Sequence, residues 1–287
     1  MIKSLKIRHR DFNWGDRTYI MGILNVTPDS FSDGGQFNTV DLAIDQAVKM
    51  INAGVDIIDI GGESTKPGSI PVDEVTELAR VIPVIEGIRK QSEIPISIDT
   101  TKSIVAAAAI QAGADIINDI SGGIYDPQML STVSRMGVPY IMMHIRGTPQ
   151  TMQLMTDYTD VVSEILAFLQ GQIQQAIDRG IQPSNIIIDP GIGFAKTYSQ
   201  NIELIRNLHK FKSLDLPILV GVSRKSFIGT ILAQPDPKQR LWGTSAACCA
   251  AIDRGVDILR VHDVAEMVDV CKVADIIFRS SLISNPG

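Results

Sequence analysis

Cysteine is scarce in this chain, and its few thiols suit neither a disulfide framework nor a metal site. The 287 residues include only three cysteines. Cys248 and Cys249 are adjacent within an alanine-rich stretch, and Cys271 leaves an odd thiol. Adjacent cysteines are too close for an ordinary disulfide, and the spacing matches no metal-binding motif. We therefore expect buried, inert thiols in a reducing compartment.

The sequence also lacks long apolar runs and an excess of positive charge. Its longest apolar runs, such as 104–110 and 246–252, are too short to span a bilayer. Basic residues occur in segment 1–10, but no apolar segment follows, so no signal peptide is predicted. The formal net charge of −6 and the pI of about 5.2 argue against a general nucleic-acid or anionic-membrane surface. These features predict a cytoplasmic protein, or an organellar one whose transit peptide is missing.

What the sequence does contain is a strand-like segment repeated eight times. Short runs rich in Val and Ile alternate with longer amphipathic segments, and such runs are typical of strands buried on both faces of a parallel sheet. Several runs follow a Gly-Val-Asp or Gly-Ala-Asp phrase, in which Gly suits the left-handed residue after a helix. The predicted strands are residues 19–25, 56–60, 95–99, 115–119, 139–144, 185–189, 217–221 and 257–261.

Helical periodicity between these runs completes an α/β pattern. Residues 39–53, 102–112, 161–179 and 245–254 are the clearest helical candidates. Eight strand–helix units predict right-handed crossovers that close into a (β/α)8 TIM barrel, with a doubly wound open sheet as the structural alternative. We expect an N-terminal extension or hairpin over residues 1–17 and a single catalytic domain over residues 18–287.

Polar residues follow all eight predicted strands. In a barrel of this type the catalytic groups lie at the carboxyl ends of the strands and in the loops after them. A single Asp at such a position is more often the cap of the next helix, and Asp99, followed by Thr-Thr-Lys, fits that interpretation. Eight polar strand ends together are hard to explain as caps, so they predict a site at one rim. These ends include Asn25, Glu63, Asp99, Asn118, His144, Asp189, Lys225 and Arg260.

Several of these segments resemble the signature segments of the dihydropteroate synthase family. They are residues 22–35, 61–68, 143–144, 147–153, 189–194, 223–225 and 260–264, of which 24–35 is highly specific. The resemblance extends over the chain from about Tyr19 onward. It implies a transferase of folate biosynthesis, usually a homodimer, that uses Mg²⁺. Its members join 6-hydroxymethyl-7,8-dihydropterin diphosphate to p-aminobenzoate and release diphosphate.

The resemblance implies that Asp99, Asn118, Asp189 and Lys225 bind the pterin. The amino-pyrimidinone edge of a pterin offers a parallel pair of N–H donors, which a carboxylate such as Asp189 accepts in bidentate fashion. An amide such as Asn118 suits the mixed edge nearby because it both donates and accepts. Lys225 supplies a donor for the ring carbonyl.

The diphosphate needs donors and positive charge. Arg260 offers a planar guanidinium, and His262 lies two residues later, on the same face of a strand. Thr65 adds a hydroxyl. Asn25 carries a hard oxygen suited to Mg²⁺, which keeps several waters and phosphate oxygens; Asn25 is the metal ligand that the resemblance implies. A structural rim histidine is the alternative for His262.

For p-aminobenzoate, the expected residues are Phe31, Pro67, Phe194 and Ser223, with an ordinary core role as the alternative for Phe194. Chemistry is expected to involve Asp33, Lys66, Lys225 and Arg260. In the family, Phe31, Asp33 and Lys66 lie on mobile loops. Lys66 stands where the family usually has Arg. Because a dihydropterin can delocalise positive charge as diphosphate leaves, the residues need mainly to stabilise charge and position the amine.

Three other functions are compatible with parts of this pattern. A methyltetrahydrofolate-binding domain of a corrinoid methyltransferase would share positions such as Asp99, Asn118 and Asp189, but would not need Thr65, Arg260 and His262. A catalytically silent paralogue would be expected to have lost its loop residues. A (β/α)8 phosphate-binding enzyme of another pathway is more distant.

Overall fold

The described part of the chain contains ten short strands, and eight of them are parallel. The computed structural model describes residues 3–27 and 36–279. Within these ranges the strands are β1 (Ser4–Ile7), β2 (Arg10–Asn13), β3 (Tyr19–Asn25), β4 (Ile57–Gly61), β5 (Ile96–Asp99), β6 (Ile116–Asp119), β7 (Tyr140–Met143), β8 (Ile186–Asp189), β9 (Leu219–Val220) and β10 (Ile258–Val261).

Nine α-helices lie in the described part of the chain. None of the helices there is long and apolar enough to cross a membrane. The helices are α1 (Gln36–Asn52), α2 (Glu74–Arg89), α3 (Ser103–Ala112), α4 (Met129–Met136), α5 (Val161–Asp178), α6 (Tyr198–Arg206), α7 (Ser226–Ile231), α8 (Leu241–Asp253) and α9 (Val264–Phe278).

The parallel strands form a barrel. Strands β3 to β8 pair in chain order, β10 pairs with both β3 and β9, and a bridge between Ile188 and Ile218 brings β8 next to β9. The predicted (β/α)8 TIM barrel is therefore confirmed, and the open-sheet alternative is excluded.

Alternation along each strand separates the core into two parts. On β4, Ile58 and Ile60 join the cluster beneath the helices, whereas Ile57 joins a second cluster inside the barrel. Because successive side chains point to opposite faces, Asp59 has the inward parity of Ile57. The inner cluster contains residues from the amino ends of the strands, so the polar residues lie above it, toward the carboxyl ends.

The hairpin β1–β2 covers the amino end of the barrel. Its strands pair antiparallel, and Leu5, Ile7 and Phe12 pack against inward residues such as Met21 and Ile187. Phe12 is only 1% exposed, and burial of such a side chain contributes about 1.5–3 kcal/mol. With this end filled by apolar side chains, the opposite end is the barrel's open mouth.

Six predicted strands begin one residue too early, and three of these have a common physical cause. Asp56, Asp115 and Asp257 precede β4, β6 and β10, and their carboxylates accept the backbone N–H groups of Ile20, Ile96 and Ile218 at 2.9–3.0 Å. Each aspartate binds the neighbouring segment through its side chain as well as its backbone N–H, one residue before its strand begins. The repeated Gly-x-Asp phrase thus connects adjacent segments at the amino end of the barrel.

Candidate active site

The predicted site residues that the structure describes lie on strand ends and loops at the mouth of the barrel. Asn25, Asp99 and Asp189 are the last residues of their strands, and Asn118 and Arg260 lie one residue before the end of theirs. Thr65, Ser223, Lys225 and His262 follow β4, β9 and β10. Phe31 and Asp33 lie outside the described residues.

Arg260 lies between two carboxylates. Its Nε donates to Oδ2 of Asp59 at 2.6 Å, and its Nη2 donates to Oδ2 of Asp99, also at 2.6 Å. Asn118 Nδ2 donates to the same Asp59 oxygen at 3.2 Å. Asp59 is completely buried and Asp99 is only 5% exposed. Three predicted site residues therefore share one network, and Asp59, which the sequence interpretation overlooked, is at its centre.

Asp99 does not cap the helix that follows it. Helix α3 begins at Ser103, whose backbone N–H donates to Asp126 at 2.7 Å. The carboxylate of Asp99 instead pairs with Arg260. The capping alternative for Asp99 is therefore wrong.

For Asp99 and Arg260, burial shifts the pKa in one direction and the oppositely charged partner shifts it in the other. Burial raises the pKa of Asp99 above its ordinary value, and Asp59 adds to the increase, although Arg260 opposes it. For Arg260, burial would lower the pKa, but the negative charges of Asp59 and Asp99 raise it overall. Arg260 therefore stays a cation at neutral and moderately alkaline pH.

Asp189, Lys225 and Phe194 form a second group. Asp189 Oδ1 accepts the backbone N–H of Gly191 at 2.7 Å, while Oδ2 makes no hydrogen bond within the described ranges. The ammonium of Lys225 lies 4.2 Å from the centroid of the Phe194 ring, a cation–π distance. Glycine is favoured at position 193 because its φ is +85°, and a Cβ there would also lie 2.8 Å from Cδ of Lys225. The group combines a free carboxylate oxygen, a cation and an aromatic face.

The pKa values of Asp189 and Lys225 are both shifted toward neutral pH. Burial raises the pKa of Asp189 to about 6, against the lowering effects of Gly191 and Lys225. Burial, together with Arg260, lowers the pKa of Lys225 to about 8. At pH 7 most molecules therefore carry both the carboxylate and the ammonium.

These values predict an alkaline limit to pterin binding. A lowered pKa means that Lys225 loses its charge as the pH rises through about 8. We expect the affinity for a dihydropterin to fall above that pH. Lys225→Arg should retain affinity at higher pH because a guanidinium does not lose its proton. Fluorescence titration from pH 6 to pH 10 measures the dihydropterin affinity of the wild-type protein and of Lys225→Arg. If affinity declined identically in both at alkaline pH, the decline would belong to another titrating group.

Ser223 and His262 bind each other. Ser223 Oγ lies 3.0 Å from His262 Nδ1 and accepts the backbone N–H of His262 at 3.2 Å. Burial, with Arg224 next, lowers the pKa of His262 to about 3, so its ring is neutral at pH 7. If the Ser223 hydroxyl donates to Nδ1, the ring keeps an N–H donor on its other nitrogen. The structure thus pairs a residue predicted for p-aminobenzoate with one predicted for diphosphate.

Thr65 lies beside a small cavity at the same mouth. The cavity encloses about 130 Å³, and Thr65, Asp99 and Lys102 contribute to its lining. Lys102 donates to Glu63 at 2.5 Å and to the buried Glu77 at 2.6 Å, which connects the base of the loop after β4 to two helices.

Lys66 and Pro67 are exposed on the loop after β4. The backbone N–H of Gly68 donates to the carbonyl oxygen of Pro149 at 2.9 Å, so this loop contacts the loop after β7. Neither side chain is placed against the Arg260 network or the Asp189 group.

The Asn25 side chain lies close to Asp99. A Cβ built on Gly61 would be 3.5 Å from Asn25 Oδ1 and 3.7 Å from Asp99 Oδ2, so glycine leaves the space between these oxygens open. Within the described residues, no group of three or more His, Cys, Asp or Glu side chains is arranged to hold a metal ion.

Lys196 is a second residue that sequence reasoning missed. Its ammonium lies 3.1 Å from His144 Nδ1 and donates to the carbonyl oxygen of Phe194 at 2.7 Å. Burial lowers the pKa of Lys196 well below its ordinary value and lowers that of His144 to about 2. His144, for which the sequence offered no partner, therefore packs behind the Phe194 loop.

Comparison with known proteins identifies the family of this chain. The family model of pterin binding enzymes matches residues 21–262. The chain is 57% identical over 268 residues to the dihydropteroate synthase of Synechocystis sp., with 93% of each chain covered. It is 47% identical over 263 residues to that of Bacillus subtilis, with 92% of this chain and 90% of the relative covered.

Solved structures agree in fold. A dihydropteroate synthase from Clostridium difficile, determined in the presence of pteroic acid, has a TM-score of 0.89 at 46% identity and covers 94% of this chain and 100% of its own. The enzyme from Xanthomonas albilineans with 4-aminobenzoic acid has a TM-score of 0.90 at 41% identity, with 96% and 98% covered. The chain therefore belongs to the dihydropteroate synthases, pterin-binding transferases of folate synthesis.

Proposed function

We propose that the mouth of this barrel condenses 6-hydroxymethyl-7,8-dihydropterin diphosphate with p-aminobenzoate. The observation that supports this most strongly is the placement of a partly buried arginine between Asp59 and Asp99, beside a carboxylate–lysine group. Such a mouth offers acceptors for a nitrogen-rich ring and donors for an anion in the same space. The products are 7,8-dihydropteroate and diphosphate.

The pterin ring is assigned to Asp99, Asn118, Asp189 and Lys225. The free Oδ2 of Asp189 accepts from the amino-pyrimidinone edge, and a charged acceptor makes this bond stronger than a neutral one. Lys225 donates to the ring carbonyl. Phe194, 9% exposed beneath the Lys225 ammonium, presents an apolar face to the substrates.

The diphosphate is assigned to Arg260, His262, Thr65 and Asn25. A guanidinium has five N–H donors, and Asp59 and Asp99 accept two of them in the structure. Three remain for phosphate oxygens. The neutral ring of His262 adds an N–H donor next to this cation without further positive charge.

Asn25 is the proposed protein ligand for Mg²⁺. Its amide oxygen is hard, half-buried and near Asp99, and Mg²⁺ commonly takes one or two protein oxygens together with water and substrate phosphate. When bound, the ion supplies positive charge to the diphosphate oxygens. The rest of the mechanism follows from the chain's own residues.

The chemistry is a substitution at the methylene carbon of the pterin. The bond from this carbon to the diphosphate oxygen breaks, and its electron pair leaves with the diphosphate. The amine nitrogen of p-aminobenzoate forms the new carbon–nitrogen bond and then loses one proton to water. Arg260 and Lys225 stabilise negative charge as it develops, which is the electrostatic contribution that enzymes of this kind need most. Asp33 is proposed to shield the cationic carbon.

The p-aminobenzoate site is assigned to Phe31, Pro67, Phe194 and Ser223. Ser223 is 5% exposed and bonded to His262, so a carboxylate reaching it competes with the imidazole for the hydroxyl proton. Pro67 lies on the exposed loop after β4 and supplies an apolar surface once that loop closes over the ring.

Lys66 on the same loop gives a testable consequence. Lysine keeps the charge of the arginine usual in the family but contacts phosphate as a flexible point charge. We expect Lys66→Arg to keep or modestly raise turnover, and Lys66→Ala to lower it strongly with little effect on pterin binding. Steady-state kinetics at saturating Mg²⁺ measure this. Full kcat and an unchanged KM for p-aminobenzoate in Lys66→Ala would make Lys66 a solvated charge.

The proposed function is tested by following diphosphate release with and without p-aminobenzoate, and with Mg²⁺ or a chelator. We expect release to depend on both the amine and the metal. Release that ignored p-aminobenzoate would contradict the condensation, and activity unaffected by a chelator would contradict the proposed use of Mg²⁺. A methyltransferase domain or a silent paralogue would release no diphosphate.

A homodimer is proposed for the assembly. Trp242 on α8 is 80% exposed, and Ile231, Ile276 and Ile277 on α7 and α9 are 53–66% exposed. Helices α8 and α9 pack together, and exposed apolar side chains on this side of the barrel are our reason for proposing an interface there. Sedimentation at micromolar concentration should give twice the mass of the 31.2 kDa chain. A cytoplasmic location also stays a prediction.

A further inference from the structure

Asp59 is a buried carboxylate at the site that no substrate can touch. It is the third residue of β4, and its exposed fraction is 0%. Its Oδ2 accepts hydrogen bonds from Arg260 and Asn118, and its Oδ1 makes no hydrogen bond within the described ranges. Every bond of this side chain therefore goes to one of two predicted substrate ligands.

The hydrogen bond between Asp59 and Arg260 determines which N–H groups of the guanidinium can donate to Asp99. A carboxylate binds arginine best by accepting two parallel N–H bonds, for example from Nε and one Nη. Asp59 occupies Nε, so Asp99 accepts from Nη2 alone. Asp99 Oδ1 consequently stays available to a ligand, and three N–H groups of Arg260 stay available to an anion.

The bond to Asn118 decides how its amide is oriented. Because a carboxylate only accepts, the amide nitrogen must be the end that faces Asp59. The carbonyl oxygen and the second N–H of Asn118 are then left for another partner. A reversed amide would place two acceptors against each other in a buried site and would be costly.

We propose that Asp59 is a positioning residue of the synthase reaction: it keeps Arg260 from pairing with Asp99 through two bonds and fixes the Asn118 amide. Through these two residues it couples the diphosphate site to the pterin site. This inference rests on the proposed function. Without the carboxylate, Arg260 can turn both donors toward Asp99, and the two residues then neutralise each other at the expense of the substrate.

Asp59→Asn tests the proposal because it removes the charge while keeping the shape. We expect the KM for the pterin diphosphate to rise by roughly tenfold to a hundredfold, the range of hydrogen bonds to charged groups, while the KM for p-aminobenzoate stays unchanged. Damage to folding alone would lower the amount of active enzyme, and hence the apparent kcat, without changing either KM. Ser97→Ala is the matched control, since Ser97 pairs with Asp59 in register, is equally buried and makes no hydrogen bond in the described part.

A double variant separates action through Arg260 from an independent effect. In an Arg260→Ala background, Asp59→Asn should weaken binding of the pterin diphosphate by clearly less than it does in the wild-type protein, because only the Asn118 amide is then left for Asp59 to position. An unchanged KM in the single variant, or a full additional loss in the double variant, would overturn the proposal. If the wild-type protein released no diphosphate, the proposed function would fail instead, and binding of the pterin diphosphate, followed by fluorescence, would still test the positioning role.

Discussion

Arg260→Ala is expected to lower kcat/KM for the pterin diphosphate by about a hundredfold to a thousandfold, the scale observed when one preorganised donor to a developing anion is removed. The variant loses the three N–H groups proposed for the phosphate oxygens and leaves Asp59 and Asp99 without their cation. Breaking a buried pair in this way costs about 3–5 kcal/mol of unfolding free energy. Activity and stability must therefore be measured together, by steady-state kinetics and urea unfolding.

The bare pterin alcohol and a second arginine provide the controls. Affinity for the alcohol should fall less than affinity for the diphosphate substrate, because the alcohol lacks the charge that Arg260 binds. Arg89 is a matched arginine near the amino end of the barrel: its side chain is 11% exposed and pairs with Asp115 at 2.5 Å. Arg89→Ala should lose stability but keep its KM values. Equal losses for both ligands in Arg260→Ala would remove Arg260 from the diphosphate site.

Asp189→Asn is expected to weaken dihydropterin binding by about 1.5–3 kcal/mol, roughly tenfold to 150-fold, because the charged acceptor is lost. The fold should change little, since Asn can still accept the N–H of Gly191. Calorimetry with the pterin measures the effect. Asp119→Asn is the control at the end of β6, which β7 separates from β8: that buried carboxylate binds Ser121, Gly123 and Tyr140.

The raised pKa of Asp189 also predicts that pterin binding weakens at acidic pH. Its pKa is raised to about 6, so the carboxylate is charged above that pH and is lost as the pH falls through it. Pterin affinity should decline below pH 6 in the wild-type protein. In Asp189→Asn that component should disappear, leaving only the contribution of Asp99, whose pKa is also raised. If Asp189→Asn bound the pterin at pH 7 as tightly as the wild-type protein does, pairing between Asp189 and the pterin would be ruled out.

The sequence predicts the barrel well because its strands are buried on both faces. Continuous runs such as residues 185–189 and 257–261 have few other solutions in an α/β chain. The carboxyl ends of parallel strands meet at one rim, so the sequence alone places Asp99, Asn118 and Asp189 together.

Contacts across the barrel could not be predicted in this way. Asp59 and Arg260 are separated by 201 positions, and no local period connects them. A signal for Asp59 did exist, because it is a charged residue within the apolar run Ile-Ile-Asp-Ile with the same parity as Gly61. Lys196 offered no such signal: its burial depends on how the loop after β8 folds over His144.

Formation of the coupled product tests the central claim most directly. Purified protein is incubated with the pterin diphosphate, p-aminobenzoate and Mg²⁺, and the amounts of 7,8-dihydropteroate and diphosphate are measured by mass spectrometry and a phosphate assay. We expect one dihydropteroate for each diphosphate, with the yield reduced in parallel by Arg260→Ala and Asp189→Asn. Diphosphate released without dihydropteroate, or full product formation by both variants, would contradict the assignment of this mouth as the synthase site.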